Sequence, residues 1–316
     1  MGVALLTDID RILESLARSR EPLTARFDSP TALQHYLYQY CFCQRFGSSA
    51  HKAVAAGSLL EELSRANSGQ DLWDRGWKIA ELLPAGRIRA TKHGVTRTFW
   101  PGEFVSFEGP GVSPRAGVQV TAFFPRESTG TQAGYYFAFG NTAEEDLEES
   151  GLIRFYWAID SGGAVPLMRA ATERLNRFQV PFRIKMPVDR SFYQRLDAAV
   201  LYVHKRFYPI CSRLLTQVHG AVREHLVPGC PLFSKPFANG VGLAEDTGTQ
   251  ESFGMNRCRI LAEAIWNADR DGGLADASSV ERVAKYFALQ GIDFARPYLN
   301  PGSVDQYLIP TGEESR

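Results

Sequence analysis

An α+β fold, built on a central and mostly antiparallel sheet with helices at its N- and C-terminal ends, is predicted by three observations. Helix-period apolar spacing occupies residues 3 to about 66 and returns in the C-terminal third. Short apolar runs rich in β-branched and aromatic residues fill positions 86 to 187, interrupted by one helix. The two patterns are segregated, without the repeating βαβ rhythm of a doubly wound sheet.

The elements follow in order. LLTDIDRILESLA places Leu5, Ile9, Ile12 and Leu16 on one helix face. Pro30 opens a second helix, TALQHYLYQYCFCQRF, whose aromatics read as core contacts, and HKAVAAGSLLEELSRAN is a third. Strands are expected in RTFWPGEFVSFEG, GVQVTAFFPR, GYYFAFGN, LIRFYWAID, VPFRIKMPV and DAAVLYV, each bounded by Gly, Pro or polar clusters. Helices are expected in AVPLMRAATERLNRF, PICSRLLTQVHGAVREHL, ESFGMNRCRILAEAIWNA and SSVERVAKYFALQ, the last two each opened by a capping serine. No linker divides the chain, so residues 1–316 read as one domain, with a helical part over 1–80 and the main part over 86–316.

Composition narrows the function. The 316 residues are 44% apolar and 22% charged, an ordinary globular balance. The 35 basic and 35 acidic residues cancel, which argues against a surface built for nucleic acid or for an anionic membrane. No apolar run reaches the roughly 20 residues of a membrane span, and the acidic start is unlike a signal peptide, so a cytoplasmic location is expected. Cys41, Cys43, Cys211, Cys230 and Cys258 match no zinc or redox spacing and read as buried reduced thiols.

No P-loop, dinucleotide fingerprint, HExxH or GxSxG is present. What stands out is a set of cations inside apolar strands, where an unpartnered charge is costly: Arg154, Arg183, Lys185, and Arg195 just before a strand. Alternation puts Arg183 and Lys185 on one face and Phe182 and Ile184 on the other. They could line an anion pocket, face solvent, or pair with Asp189 or Asp197. A second segment, KPFANGVGLAEDTGTQESFGMNRCRIL, joins Lys235, glycines able to admit a ligand, the acidic pair Glu245 and Asp246 for Arg257 to neutralise, and a helix start that favours an anion. A third, RIRATKHGVTRTFW, offers His93 as a titrating group with Arg97 nearby.

The motifs GYYFAFGN, RFYW, LNRFQVPFRIK, YQRLDAAVLYV and GVGLAEDTGTQESFGMNRC, in that order, resemble the Hop-type effector family, strongly over about 134 to 262 and faintly back to WPGEF. That family includes lyases of class V lanthipeptide and thioamitide pathways. The resemblance implies a protein that removes phosphate from phosphoserine or phosphothreonine in a precursor peptide, leaving dehydroalanine or dehydrobutyrine, with a kinase-like partner supplying the phosphate.

Such a β-elimination needs a base, cationic clamps and an acid. Lys185 suits the base, because desolvation and neighbouring cations lower a lysine pKa. Arg154, Arg195 and Arg257 suit the phosphate clamps, with Arg183, Arg97 and Lys235 as further candidates. His93 is the acid by resemblance to the OspF-type phosphothreonine lyases, and Tyr156 or Tyr202 is the alternative donor. No metal or organic cofactor is implied. The competing reading is a non-catalytic module that uses the same basic cleft to bind a phosphopeptide or a partner protein.

Overall fold

The computed structural model describes residues 2–18, 21–47, 57–106, 114–142, 151–249, 251–270, 274 and 279–310. The chain begins with α1 (Gly2–Ala17), α2 (Leu23–Arg26), α3 (Pro30–Leu37) with its π-helical extension Tyr38–Phe42, and α4 (Leu60–Ala66). Then come β1 (Leu72–Leu82), β2 (Ile88–Lys92), β3 (Val95–Phe99), β4 (Phe104–Ser106) and β5 (Gln119–Phe124). The remainder is β6 (Glu127–Ser128), β7 (Tyr135–Phe139), β8 (Leu152–Trp157), α5 (Ala164–Arg177), β9 (Arg183–Pro187), β10 (Ala199–His204), α6 (Tyr208–Val222), β11 (Lys235–Ala238), β12 (Val241–Glu245), α7 (Phe253–Arg270) and α8 (Ser279–Leu289). The fold is α+β with two antiparallel sheets.

The smaller sheet runs β3-β2-β1-β5-β4 around its own core of Trp77, Ile79, Ile88, Phe99 and Val120. β1 lies where the sequence reading had the end of the helical part, residues 1–80. Only one face of β1 is buried, and bulges at Arg75/Trp77 and Ile79/Glu81 break its alternation, which hides the strand from a period-two reading.

The larger sheet runs β11-β12-β8-β10-β9-β7-β6. Because residues paired across antiparallel strands share a face, its register sorts every side chain. One face carries Ile153, Phe155, Leu201, Val203, Ile184 and Met186, all buried, with Tyr208 of α6 stacked on Phe155. The opposite face carries two parallel rows, Gly242–Tyr156–Val200–Lys185–Phe137 and Ala244–Arg154–Tyr202–Arg183–Phe139.

Helix starts obey local chemistry. Leu5, Ile9, Ile12 and Leu16 of α1 are buried as their spacing predicts. Ser29 Oγ accepts from the Ala32 amide ahead of Pro30, and Ser252 Oγ accepts from the Met255 amide at the start of α7. At α8 the first serine of the expected helix, Ser278, lies outside the described residues, and Ser279, inside the first turn, donates to the Leu274 carbonyl. In the third expected helix, residues 51–56 lie outside the described residues and the helix starts at Leu60.

Residues 235–245 of the Gly-rich segment form the β11–β12 hairpin. A Cβ on Gly242 would sit 2.4 Å from Ser234 Oγ, so this glycine serves close backbone packing. Among the described residues, no helix is long and apolar enough to cross a membrane.

The N-terminal segment is pinned over the cationic face by Phe42, which meets Tyr156 edge-on at 5.8 Å and Phe253 at 6.2 Å. Gly254 permits this approach, since a Cβ there would lie 2.6 Å from the Phe42 ring. The ring is 1% exposed and has no free direction to retreat. Gly254→Ala is therefore expected to lower stability by about 1–3 kcal/mol through overpacking, measured as a reduced urea midpoint.

Candidate active site on the sheet face

Strand β9 brings Lys185 and Arg183 to the middle of the face described above, two residues apart as alternation requires. The Lys185 Nζ lies 3.9 Å from the centroid of the Tyr135 ring, and the Arg183 guanidinium lies 4.5 Å from that of Tyr202. Among the described residues neither cation forms a salt bridge. Asp189 and Asp197, the partners the sequence offered, are committed elsewhere. Asp189 accepts from the Ser191 amide at a 3-10 turn, and Asp197 holds Arg195.

Lys185 is pulled down to about 8, first by burial and then by Arg195 and Arg154, against the opposing pull of Asp197. A free amine is thus populated close to neutral pH.

Two arginines flank this pair, each tethered by an aspartate. Arg154 donates through Nε to Asp246 Oδ2 and pairs with the same oxygen through Nη2; the carboxylate has 0% side-chain exposure, and the guanidinium lies 5.1 Å from the Tyr202 ring centroid. Arg195 donates through Nε to Asp197 Oδ1 and through Nη2 to Asp197 Oδ2, both at 2.8 Å. Its Nη2 also reaches Cys43 Sγ at 2.9 Å and the Tyr38 hydroxyl at 3.3 Å. In both arginines Nη1 has no partner among the described residues.

Tyr202 is therefore sandwiched between Arg154 and Arg183. Tyr156, fully buried, has a hydroxyl without a hydrogen-bond partner among the described residues. Burial raises the pKa of both tyrosines, so each keeps its proton and remains a donor.

The structure gathers Lys185, Arg183, Arg154, Arg195, Tyr156 and Tyr202 on or beside one face, and sets the other candidates apart. Arg257 is 2% exposed, and its donors are taken by the carbonyls of Pro297 and Leu299 and by Asn256. It does not neutralise the acidic pair: Asp246 belongs to Arg154, while Glu245 accepts from the Tyr307 hydroxyl and the Asn300 amide. Lys235 is engaged by Asp305 and the Tyr307 carbonyl on β11. Arg97 lies over Phe124 in the smaller sheet. His93 sits at the β2–β3 turn of that sheet with a left-handed φ of 51°. At the start of α7 the acceptor is the protein's own Glu251, which binds Gln34, Asn256 and Arg259.

Sequence reasoning missed Tyr38 and Cys43 as parts of this site, having read both as core packing. The burial was right, for Cys43 is 1% exposed, and burial raises its thiol pKa. Yet the sulfur accepts from Arg195, a contact between positions 152 residues apart that no local pattern signals. Tyr135 was missed in its role as well, although it lies in a recognisable strand.

Two effector proteins of Pseudomonas syringae share the fold. That of pathovar tomato strain DC3000 is 13% identical, covers 94% of this chain and 97% of its own, and has a TM-score of 0.54. That of pathovar syringae strain 61 is 11% identical, covers 95% and 98%, and has a TM-score of 0.51. The structural likeness therefore takes in the N-terminal segment and the smaller sheet. No curated protein matches the sequence. The model of the HopA1 effector protein family matches residues 127–299, more than half of the chain and all six residues of the gathered face, and the protein belongs to that family.

Proposed function

We propose that this protein is a lyase that removes phosphate from phosphothreonine or phosphoserine residues of a peptide by β-elimination, with Lys185 as the base. The observation that carries the reading is the pair Arg183 and Lys185, two half-buried cations that form no salt bridge among the described residues. Around them the charges nearly balance: Arg154 is offset by Asp246 and Arg195 by Asp197. The excess of up to two positive charges matches a phosphomonoester, which carries about −1.5 to −2 at neutral pH.

The chemistry follows from the placement. The Nζ of neutral Lys185 takes the α-proton, the C–H electron pair becomes the Cα=Cβ bond, and the Cβ–O bond breaks with its pair leaving on phosphate. Arg183 and the unengaged Nη1 groups of Arg154 and Arg195 stabilise the growing negative charge. A proton must reach the departing oxygen, and Tyr202, between two guanidiniums, is better placed to give it than His93 on the other sheet. The peptide is proposed to be a natural-product precursor phosphorylated by a kinase-like partner, as the family resemblance implies.

Incubation with a synthetic phosphothreonine or phosphoserine peptide, followed by mass and free phosphate, is expected to show loss of phosphoric acid and an alkene that adds thiols. Phosphate release with the hydroxyl restored would mean a phosphatase, and tight binding without reaction would mean a binding module. Lys185→Met is expected to retain phosphopeptide binding and lose about 10²–10⁴-fold in rate. Because the free amine is the active form, the wild-type rate is expected to rise with pH and level off above about 8, checked by initial rates from pH 6 to 9.5.

A further inference from the structure

Asp197 has no part in the elimination as written, yet it sits where it controls two groups that do. It is 8% exposed in its side chain and grips Arg195 by both oxygens along the Nε–Nη2 edge. The same Nη2 is steadied from the other side by Tyr38 and Cys43, which arrive on the N-terminal segment. A guanidinium held this way cannot rotate, and its one uncommitted nitrogen, Nη1, keeps a fixed direction.

We propose that Asp197 is a positioning residue: by chelating Arg195 it aims Nη1 at the phosphate and keeps that arginine's charge from acting unopposed on Lys185. This deepens the proposed elimination and rests on it for the identity of the ligand.

The groups that face or neighbour Lys185 are Arg183 on its own strand, Tyr135 on β7, Arg154 on β8, Arg195 and Asp197 on the segment entering β10, and Cys43 of the N-terminal segment. Asp197 favours the ammonium, while Arg195 and Arg154 disfavour it. Neutralising Asp197 removes the carboxylate that opposes Arg195 and favours the ammonium, so Lys185 releases its proton at lower pH. A residue that only supported the fold would not move that titration.

The test compares the wild type with Asp197→Asn and Asp197→Glu in the full-length chain. Lys185 is titrated by trace acetylation with acetic anhydride across pH and quantified by peptide mass spectrometry, which needs no turnover. Affinity for a non-reacting phosphopeptide is measured in parallel. Asp197→Asn is expected to move the Lys185 midpoint down by about one pH unit and to weaken binding at least about tenfold. Asp197→Glu is expected to restore most of both.

An unchanged midpoint and unchanged affinity, with only a lower melting temperature, would overturn the proposal. If Asp197→Asn does not fold, Arg195→Lys, which keeps the charge but lacks the fork, is expected to lose affinity, and unchanged binding in that variant would overturn the proposal equally. A shifted midpoint in a protein that never eliminates phosphate would leave Asp197 in its positioning role and remove the lyase reading.

Discussion

The organisation of this protein depends on the cost of placing four cations on or beside one face of a sheet inside a packed core. Removing a charged group from water costs several kcal/mol unless another charge or a set of hydrogen bonds replaces the solvent. The chain meets that cost for Arg154 with Asp246 and for Arg195 with Asp197. It leaves Arg183 and Lys185 without a salt bridge among the described residues, each set against an aromatic ring, Tyr202 and Tyr135. A cation–π contact is worth about 0.5–2 kcal/mol, less than a good ion pair in the same place. The residual charge is what an anionic ligand would complete, and it is the reason for treating this face as the site.

The rest of the fold keeps that face assembled. Register alone sets Arg154, Tyr202 and Arg183 in one row and Tyr156, Val200 and Lys185 in the next. The opposite face is apolar and buried against the α6 layer, which fixes the strands and prevents a slip that would turn every cation inward. On the cationic side Phe42 and Phe253 cover Tyr156, and Tyr38 and Cys43 reach Arg195. The N-terminal segment is thus part of the site, although it lies outside the stretch matched by the family model.

Much of this was legible in the sequence. Alternation alone placed Arg183 and Lys185 together and away from Ile184, and the segregation of strands from helices fixed the class. The partners were not legible. Arg154 and Asp246 lie 92 residues apart, and only the β12–β8 pairing brings them together. Arg257 looked like a clamp because it sits in a cation-rich motif, but carbonyls of the chain around 297–299 consume its donors. Glycine-rich character at 240–242 suggested ligand approach where the real demand was for a tight hairpin. His93 looked chemical by residue type, while its place on a separate sheet depends on β1, a strand whose bulges erase the alternation.

The central claim, that Lys185 is a half-buried cation without a salt bridge among the described residues to compensate it, has a thermodynamic signature. Its folded-state pKa of about 8 is below the ordinary lysine value of 10.5, so the folded state binds fewer protons than the unfolded state between those values. The penalty is full below about pH 8 and fades as pH rises toward 10.5. The most direct measurement is urea unfolding of the wild type and Lys185→Met at intervals from pH 7 to 10.5. The account predicts that Lys185→Met is more stable by about 1–3 kcal/mol at pH 7, with the gap closing through the upper part of that range. A gap of zero, or one favouring the wild type at every pH, would show that Lys185 is satisfied in the fold and would contradict the account.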